Sequence, residues 1–201
     1  MFSGIVEGRG CVVGIKRTGE LVTLTVEAGR IADGVDVNDS VAVDGVCLTV
    51  IAKEGSRLTF DLVPETVTKS TLGPEAEGRF VNLERSLGAM NRIDGHLIQG
   101  HVDCMGNIVA IEDLGESLVI DFEVPHRFSN LIVERGSVAI DGISLTVAEC
   151  SGNQFRAAFI PHTLELTTMG EHKVGDPVNV EFDMIGKYVV KTVEAWKGVT
   201  S

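Results

Sequence analysis

Two short segments, CLTV at 47–50 and SLTV at 144–147, carry small polar residues at strand-like spacing. Because successive side chains of a strand point to opposite faces, the leucine and valine of each segment are predicted to fill a core. The first and third residues then share the outer face; they are Cys47 with Thr49, and Ser144 with Thr146. Thiol and hydroxyl groups in such a pair can hydrogen-bond the edge of a heterocycle. An ordinary solvated strand face is the alternative.

Two histidines stand five residues apart in the segment GHLIQGH. In a strand this spacing puts His96 and His101 on opposite faces, which makes them a poor metal pair, and no metal site is predicted. His101 is a candidate acid, base or ligand donor, since its pKa lies near physiological pH. A structural histidine is the alternative. Phe2, beside the initiator methionine, is a candidate site residue, and a frayed terminus with one apolar anchor is the alternative.

These residues belong to an internal repeat. Residues 40–84 align with residues 137–181 without a gap, and the start of each half aligns at an offset smaller by one residue. The identical pairs include Asp44/Asp141, Gly45/Gly142, Thr49/Thr146, Asn82/Asn179, Glu84/Glu181 and Gly4/Gly100. A period this long indicates a duplicated domain rather than a solenoid. Two similar domains can build a site with approximate two-fold symmetry that binds two copies of one small molecule. The exchange of cysteine for serine suggests that one copy has moved towards catalysis.

Composition favours a globular chain of 201 residues with a net charge of −12. That charge argues against non-specific binding of nucleic acid or of an anionic membrane surface. No apolar run reaches the length of a membrane span, and no signal peptide is visible. The four cysteines are widely separated, which fits a reducing cytoplasm rather than a disulfide framework.

The β-branched segments between glycine and aspartate turns predict an all-β fold of two tandem six-stranded antiparallel Greek-key barrels. Strands are predicted in the first half at 4–15, 21–27, 40–44, 47–53, 57–62 and 79–84. In the second half they are predicted at 100–111, 117–124, 137–140, 144–149, 154–160 and 177–182.

Helices are predicted at few places. The segments PETVTKSTLG (64–73) and PHTLELTTMG (161–170) indicate one short helix per half, ending at their glycines, and a further short helix is predicted at 126–134. The unmatched tail has Ile185, Val189, Val193 and Trp196 at helical spacing. This amphipathic helix packs either on its own barrel or in a subunit interface. The predicted domains are a first barrel at 1–95, a second at 96–184 and a helical tail at 185–201.

Eight segments together resemble the family of riboflavin synthase alpha chains, in the family's order and over nearly the whole chain. They read MFSGIVE, VDGVCLTV, PETVTKSTLG, VNLERSL, GHLIQGHVD, IDGISLTV, IPHTLELTT and VNVEFDMIGKYV. The resemblance implies a transferase that moves a four-carbon unit between two molecules of 6,7-dimethyl-8-ribityllumazine. The products would be riboflavin and 5-amino-6-ribitylamino-uracil.

The same resemblance implies two six-stranded barrels and a C-terminal helix, with no metal and no organic cofactor. It implies a cytoplasmic homotrimer in which the N-terminal barrel of one subunit meets the C-terminal barrel of its neighbour at each active site. Lumazine synthase is a candidate partner, whereas nucleic acid and membrane are not expected.

Site residues are carried over from the family by motif. The catalytic candidates are Phe2, Cys47, His101 and Ser144, with Asp183 as a weaker one. The substrate contacts of the first half are Gly4, Ile5, Val6, Ser40, Cys47, Leu48, Thr49, Asp61, Leu62, Val63, Pro64, Glu65 and Thr66, and those at the start of the second copy are Gly100, His101 and Val102. The remaining contacts are Arg135, Ser144, Leu145, Thr146, Ile160, Pro161, His162, Thr163, Leu164 and Glu165. His101 is assigned proton transfer or orientation, and Cys47 a polar contact or a transient nucleophile. The first nucleophile stays open among water, Cys47, Ser144 and a ribityl hydroxyl.

Two positions depart from the family pattern. Arg135 stands where many members have lysine, which keeps the charge but changes the geometry of a ligand contact. His162 stands where some relatives have glutamate, opposite Glu65 in the first copy. Three rival interpretations remain: a non-catalytic lumazine- or flavin-binding antenna of the same superfamily, a flavin-dependent reductase, and a purely structural two-barrel protein, which the paired motifs disfavour. The reductase would need a nicotinamide-binding domain, for which no sequence is left.

Overall fold

The computed structural model describes residues 1–73 and 76–199, with side chains up to residue 197. The first half forms a closed six-stranded antiparallel barrel whose strands follow the order β1-β2-β5-β4-β3-β6. These strands are β1 (Gly8–Thr18), β2 (Leu21–Glu27), β3 (Ser40–Val43), β4 (Val46–Glu54), β5 (Arg57–Leu62) and β6 (Phe80–Arg85). The order is that of a Greek key, because β2 and β5 pair across two intervening strands of the sequence. The predicted barrel is confirmed.

The second half repeats this order in a sheet of seven strands rather than six, β10-β9-β13-β7-β8-β12-β11. Its strands are β7 (Cys104–Asp113), β8 (Leu118–Glu123), β9 (Ser137–Ile140), β10 (Ile143–Thr146), β11 (Glu149–Ser151), β12 (Gln154–Phe159) and β13 (Pro177–Phe182). The single strand predicted at 144–149 is divided between β10 and β11. In the first half β4 stays continuous by taking a bulge at the matching place, between Val50 and Ala52.

Each half has its own apolar core, and the alternation seen in the sequence sets which residues enter it. Leu48 and Val50 are buried in the first core, and Leu145 and Val147 are buried in the second. Cys47 and Ser144 are half-buried on the outer face, whereas Thr49 and Thr146 are exposed there. The predicted division into two faces is confirmed in both copies.

Two strands begin later than predicted. β1 begins at Gly8 instead of Gly4, and β7 begins at Cys104 instead of Gly100. The residues before each strand do not join the sheet of their own half. They cross to the other half, where the backbone N–H groups of Ser144 and Cys47 donate to the carbonyls of Gly4 and Gly100.

The helices are shorter than predicted. α1 (Pro64–Lys69) and α2 (Pro161–Leu166) end before their expected glycines. The hydroxyls of Ser70 and Thr167 donate 2.7 Å hydrogen bonds to carbonyls four residues back, which closes the last turn and releases the chain into extended backbone. The segment predicted as a helix at 126–134 is a 3-10 helix at His126–Leu131.

The tail forms α3 (Met184–Val199), and residues 200–201 of the predicted tail lie outside the described residues. Lys187 Nζ lies 2.6 Å from Asp103 Oδ2 and fixes the helix to the second barrel. The apolar stripe predicted from the sequence remains largely exposed: Ile185 is 67% exposed, Val189 55% and Val193 48%. In the described chain the stripe is therefore not covered by the barrel of its own subunit. No helix described here has the length and apolar character needed to cross a membrane.

Candidate active site

The first half-site lies where residues 98–102 cover the outer face of β4. The backbone N–H of Cys47 donates a 2.8 Å hydrogen bond to the carbonyl of Gly100. An added Cβ on Gly100, whose φ is +81°, would lie 2.4 Å from Cys47 Cβ. Only glycine allows this approach, so Gly100 brings the neighbouring His101 into the same cleft as Cys47.

The second half-site repeats the arrangement with residues 2–6 over β10. The N–H of Ser144 donates a 2.8 Å hydrogen bond to the carbonyl of Gly4. Gly4 has a φ of +78°, and an added Cβ would lie 2.6 Å from Ser144 Cβ. Gly4 and Gly100 therefore both allow the segment that carries them to lie directly against a strand of the other half.

Residues 2–6 and residues 98–102, the two crossing segments, are each held by a buried carboxylate from the last strand of their own half. Glu84 accepts hydrogen bonds from the N–H groups of Ser3 and Gly4 at 2.7 and 3.0 Å. Glu181 accepts from the N–H groups of Gly100 and His101 at 2.9 and 2.8 Å, and from that of Gln99. Burial raises the pKa of both carboxyls, and these hydrogen bonds oppose the rise by stabilising the charged form.

A cleft of about 640 Å³ opens at the first half-site. It brings together seven of the predicted contacts: Cys47, Val63, Glu65, Thr66, Gly100, His101 and Val102. Lys69, Arg127 and Phe128 also line it, and Lys69 Nζ lies 2.6 Å from Glu65 Oε1. The cleft thus combines an apolar wall with an ion pair, a thiol and an imidazole, as a site for a polar heterocycle requires.

The polar chemistry of the second half-site differs. Ser144 Oγ lies 2.7 Å from His96 Nδ1. Burial lowers the pKa of His96, although the charge of Asp183 opposes this, so the imidazole is neutral near pH 7. A tautomer with the proton on Nε2 would let His96 Nδ1 accept a hydrogen bond from the Ser144 hydroxyl, the arrangement by which a neighbouring base activates a serine.

Phe2 lies between the half-sites and is fully buried. It exchanges two backbone hydrogen bonds with Ile98, at 2.8 and 3.0 Å, and packs with Ala42 and Ala139. Cys47 packs against the edge of this cluster. Phe2 is therefore an internal anchor that joins the two crossing segments, and a frayed terminus is ruled out.

The other predicted contacts lie at several depths. The side chains of Val6, Leu48, Leu62 and Leu145 are buried in the barrel cores, so a ligand could reach only their backbones. Asp61 accepts a 2.8 Å hydrogen bond from Thr23, and Ser40 and Ile5 line a second cleft of about 680 Å³. Residues 160–165 are exposed or half-exposed, and they occupy the place in the second copy that Val63 to Thr68 occupy in the first.

Arg135 has a φ of +63°, which is rare for a residue with a side chain. Its N–H donates to the carbonyl of Val147 at 2.8 Å, and Asn38 makes the matching bond in the first half. Asp183 accepts a hydrogen bond from the N–H of Ile185 at the start of α3. Its carboxylate thus caps the helix and also adds negative charge near His96.

The sequence does not reveal several residues of the half-sites, among them His96, Lys69, Arg127 and Phe128. His96 was examined only as a metal ligand, because its approach to Ser144 depends on the crossing of residues 2–6 and 95–102. Lys69 carried a local signal, since Glu65 and Lys69 are spaced for an ion pair on one helix face. Among the described residues, no three histidine, cysteine or carboxylate side chains gather as a metal site requires.

Comparison with known proteins places these half-sites in a family context. Residues 3–86 and residues 99–183 each match the family described as the lumazine binding domain. The riboflavin synthase of Mycobacterium bovis is 40% identical over 199 residues, covering 97% of this chain and 99% of that protein. The riboflavin synthase of Actinobacillus pleuropneumoniae is 38% identical over 189 residues, covering 94% and 88%.

Solved structures show that the fold of this chain is a known one. LumP complexed with riboflavin superposes with a TM-score of 0.85 at 22% identity, covering 91% of this chain and 100% of that one. LumP complexed with 6,7-dimethyl-8-(1'-D-ribityl) lumazine gives a TM-score of 0.82. At this identity the likeness shows a shared fold. The two matched domains and the full-length relatives go further, and this chain belongs to the riboflavin synthase family of enzymes.

Proposed function

We propose that this chain carries out the last step of riboflavin biosynthesis, the dismutation of two molecules of 6,7-dimethyl-8-ribityllumazine. One molecule gives up a four-carbon unit and leaves as 5-amino-6-ribitylamino-uracil, and the other accepts the unit and becomes riboflavin. Membership of the riboflavin synthase family supports this activity. The observation that carries it in the structure is the repetition of the half-site, with Gly100 over Cys47 and Gly4 over Ser144.

Two similar half-sites suit a reaction between two identical molecules. When each half-site holds one molecule and the two face each other, the encounter of the substrates becomes local instead of bimolecular. Such positioning can contribute about 7–11 kcal/mol to lowering a barrier. The protein then has to supply only proton transfers and electrostatic stabilisation.

Proton transfer starts at the 7-methyl group of the lumazine, which is acidic because its carbanion is delocalised over the ring. A modest base is sufficient for that step. His101 in the first half-site is proposed as a proton-transfer or orienting group, and Cys47 as a polar contact or nucleophile. In the second half-site the His96–Ser144 pair, at 2.7 Å, supports the same kind of role for the Ser144 hydroxyl.

The remaining carried-over residues are proposed as contacts. Thr49, Glu65 and Thr66 would hold the ligand in the first half-site, and Thr146, His162 and Thr163 would do so in the second. Phe2 would act by fixing the two crossing segments, since it is buried beneath them. We also propose that the domain limits are 1–95 and 96–184, and that the reaction takes place in the cytoplasm without metal or organic cofactor.

We further propose that the chain is a homotrimer, with each active site between the first barrel of one subunit and the second barrel of its neighbour. The exposed apolar stripe of α3 supports an interface, because contiguous apolar surface of this kind marks a docking site. Val193→Glu should dissociate the assembly and abolish turnover, whereas Lys191→Glu, on another face of the helix, should leave both intact. Analytical ultracentrifugation checks the first result, and an unchanged trimer in the Val193→Glu variant would exclude α3 from the interface.

The activity itself is tested with the purified, metal-stripped protein and 6,7-dimethyl-8-ribityllumazine alone. Riboflavin formation is followed by absorbance, and both products are measured by chromatography. One equivalent of the diaminouracil-type product for each riboflavin is the expected result. Tight binding of the lumazine without turnover would overturn the proposal and favour an antenna protein.

A further inference from the structure

The two barrels meet at a pair of hairpin turns that lie back to back. Asp44 and Gly45 connect β3 to β4, Asp141 and Gly142 connect β9 to β10, and all four residues have positive φ. An added Cβ on Gly45 would lie 2.6 Å from the backbone nitrogen of Gly142. No side chain separates the turns, so each limits the position of the other.

Crossed hydrogen bonds hold the turns together. The side-chain amide of Asn82 donates to the carbonyl of Asp141, and that of Asn179 donates to the carbonyl of Asp44, both at 2.9 Å. The carboxylates of Asp44 and Asp141 each accept a 2.7 Å bond from the backbone N–H of the asparagine in their own half. These four hydrogen bonds are symmetric across the seam, the contact between the turns at residues 44–45 and 141–142.

The symmetry ends at the second oxygen of each carboxylate. Asp44 Oδ2 lies 3.3 Å from Arg79 Nη2, a permanent cation. Asp141 Oδ2 instead faces His172 Nε2 at 3.7 Å. His172 Nδ1 is buried without a hydrogen-bond partner in the described chain, and it lies 3.7 Å from Asp176 Oδ2. Both 3.7 Å distances from His172 are too long for direct hydrogen bonds, whereas Arg79 hydrogen-bonds Asp44.

We propose that Asp141 and His172 are a proton-dependent positioning element for the catalytic residues. One proton held by this pair keeps the two turns together, and its loss moves Ser144 relative to Cys47. Both reactive side chains lie close to the seam, because Cys47 is the second residue of β4 and Ser144 is the second residue of β10. The inference deepens the proposed function and rests on it for the catalytic consequence.

The charges around the seam require such a proton. Asp44, Asp141 and Asp176 bring three carboxylates, and Arg79 and His172 are the groups that face them with positive or titratable nitrogen. The nearby Glu171 is already paired with Arg9. If Asp141 and Asp44 were both ionised, two buried anions would share one arginine, and a proton removes that repulsion.

The proton resides mainly on the carboxyl. Burial raises the pKa of Asp44 to about 6, and burial together with the charge of Asp44 raises the pKa of Asp141 well above its ordinary value. Burial lowers the pKa of His172. A protonated Asp141 can donate to a neutral His172 after a small approach of the two side chains.

The test compares Asp141→Asn with wild type, since asparagine keeps the shape of a carboxyl group but cannot ionise. The kcat of wild type should fall as the pH rises through the pKa of Asp141. In Asp141→Asn that fall should disappear, because asparagine has no proton to lose in this pH range. KM should change little, because neither residue touches the substrate.

A second variant, His172→Asn, covers the case in which Asp141→Asn does not fold. It should shift the same limb of the kcat profile, whereas His126→Asn, an exposed histidine of the second half, should not. Two further readouts do not need turnover: the pH dependence of urea unfolding, and the NMR titration of the His172 ring. Both should change in Asp141→Asn.

Unchanged kcat profiles in both variants would overturn the positioning role. A His172 ring that titrates identically in wild type and Asp141→Asn would overturn the shared proton. Absence of riboflavin formation in wild type would instead refute the proposed function, and the unfolding and NMR measurements would still decide whether the proton links the turns.

Discussion

The two halves of this molecule share one plan, and their differences lie where chemistry would take place. The first half is a closed barrel with Cys47 on its outer face, covered by the segment that carries His101. The second half is a seven-stranded sheet in which Ser144 pairs with His96. Duplication has preserved the elements that position the ligand, whereas the reactive groups have diverged. Under the proposed function, the two half-sites would hold the same compound but treat it differently.

The sharpest way to break this comparison is to remove His101. In the second half-site Ile5 occupies the matching position, so the imidazole has no counterpart there. His101→Ala should lower kcat about 100-fold or more, the range of lost acid–base catalysis. Ile5→Ala is the matched control and should act mainly on KM. Steady-state kinetics measure kcat and KM of both variants. Wild-type turnover by His101→Ala would exclude His101 from the mechanism.

A second test addresses what the halves share. Gly100→Ala forces a side chain into Cys47 and into a disfavoured backbone conformation, which should cost about 3 kcal/mol of unfolding free energy. Gly55 has a similar φ of +62° but nothing within 4 Å, so Gly55→Ala should cost only about 1 kcal/mol. Urea unfolding of both variants gives the difference. Equal losses would mean that the crossing segment does not need its close approach to β4.

A third test concerns the His96–Ser144 pair and its pH dependence. His96 acts as a base only when neutral, and burial lowers its pKa, so turnover should persist below the ordinary histidine pKa and fall only at more acidic pH. His96→Gln should lower kcat about 10- to 100-fold and remove that acidic limb. The control is His126→Gln. An acidic limb that survives in His96→Gln would assign it to another group.

The smallest effect is expected from exchanging the reactive atoms between halves. Cys47→Ser gives the first half the hydroxyl of the second, and Ser144→Cys does the reverse. If Cys47 serves as a polar contact, Cys47→Ser should lower kcat by no more than about tenfold, since the hydroxyl keeps a donor and an acceptor. If the thiol is a nucleophile, the loss should be much larger. Single-turnover kinetics of both variants separate these outcomes.

Much of the fold could be read from local patterns. The strands at Leu21–Glu27, Arg57–Leu62, Ser137–Ile140 and Pro177–Phe182 have the predicted bounds. The first two alternate cleanly between a buried and an outer face, and the last two are short segments that are buried at nearly every position. The ends of α1 and α2 were predicted less well. The hydroxyls of Ser70 and Thr167 compete with further helical hydrogen bonds and end both helices before the glycines that the sequence pattern predicts as stop signals.

The sequence by itself determined the duplication, the two faces of the strands at Cys47 and Ser144, and the family. Strand alternation and repeated motifs are encoded by neighbouring residues, so these features need no knowledge of distant contacts. Only the tertiary structure decided that residues 2–6 and 98–102 exchange barrels, that His96 reaches Ser144, and that His172 faces Asp141. The last two contacts join residues 48 and 31 positions apart in sequence, and the bonds from Glu84 and Glu181 to the crossing segments span about 80. Which pairs meet at such separations depends on how distant strands, turns and crossing segments pack in three dimensions, and that packing is not encoded by any local pattern.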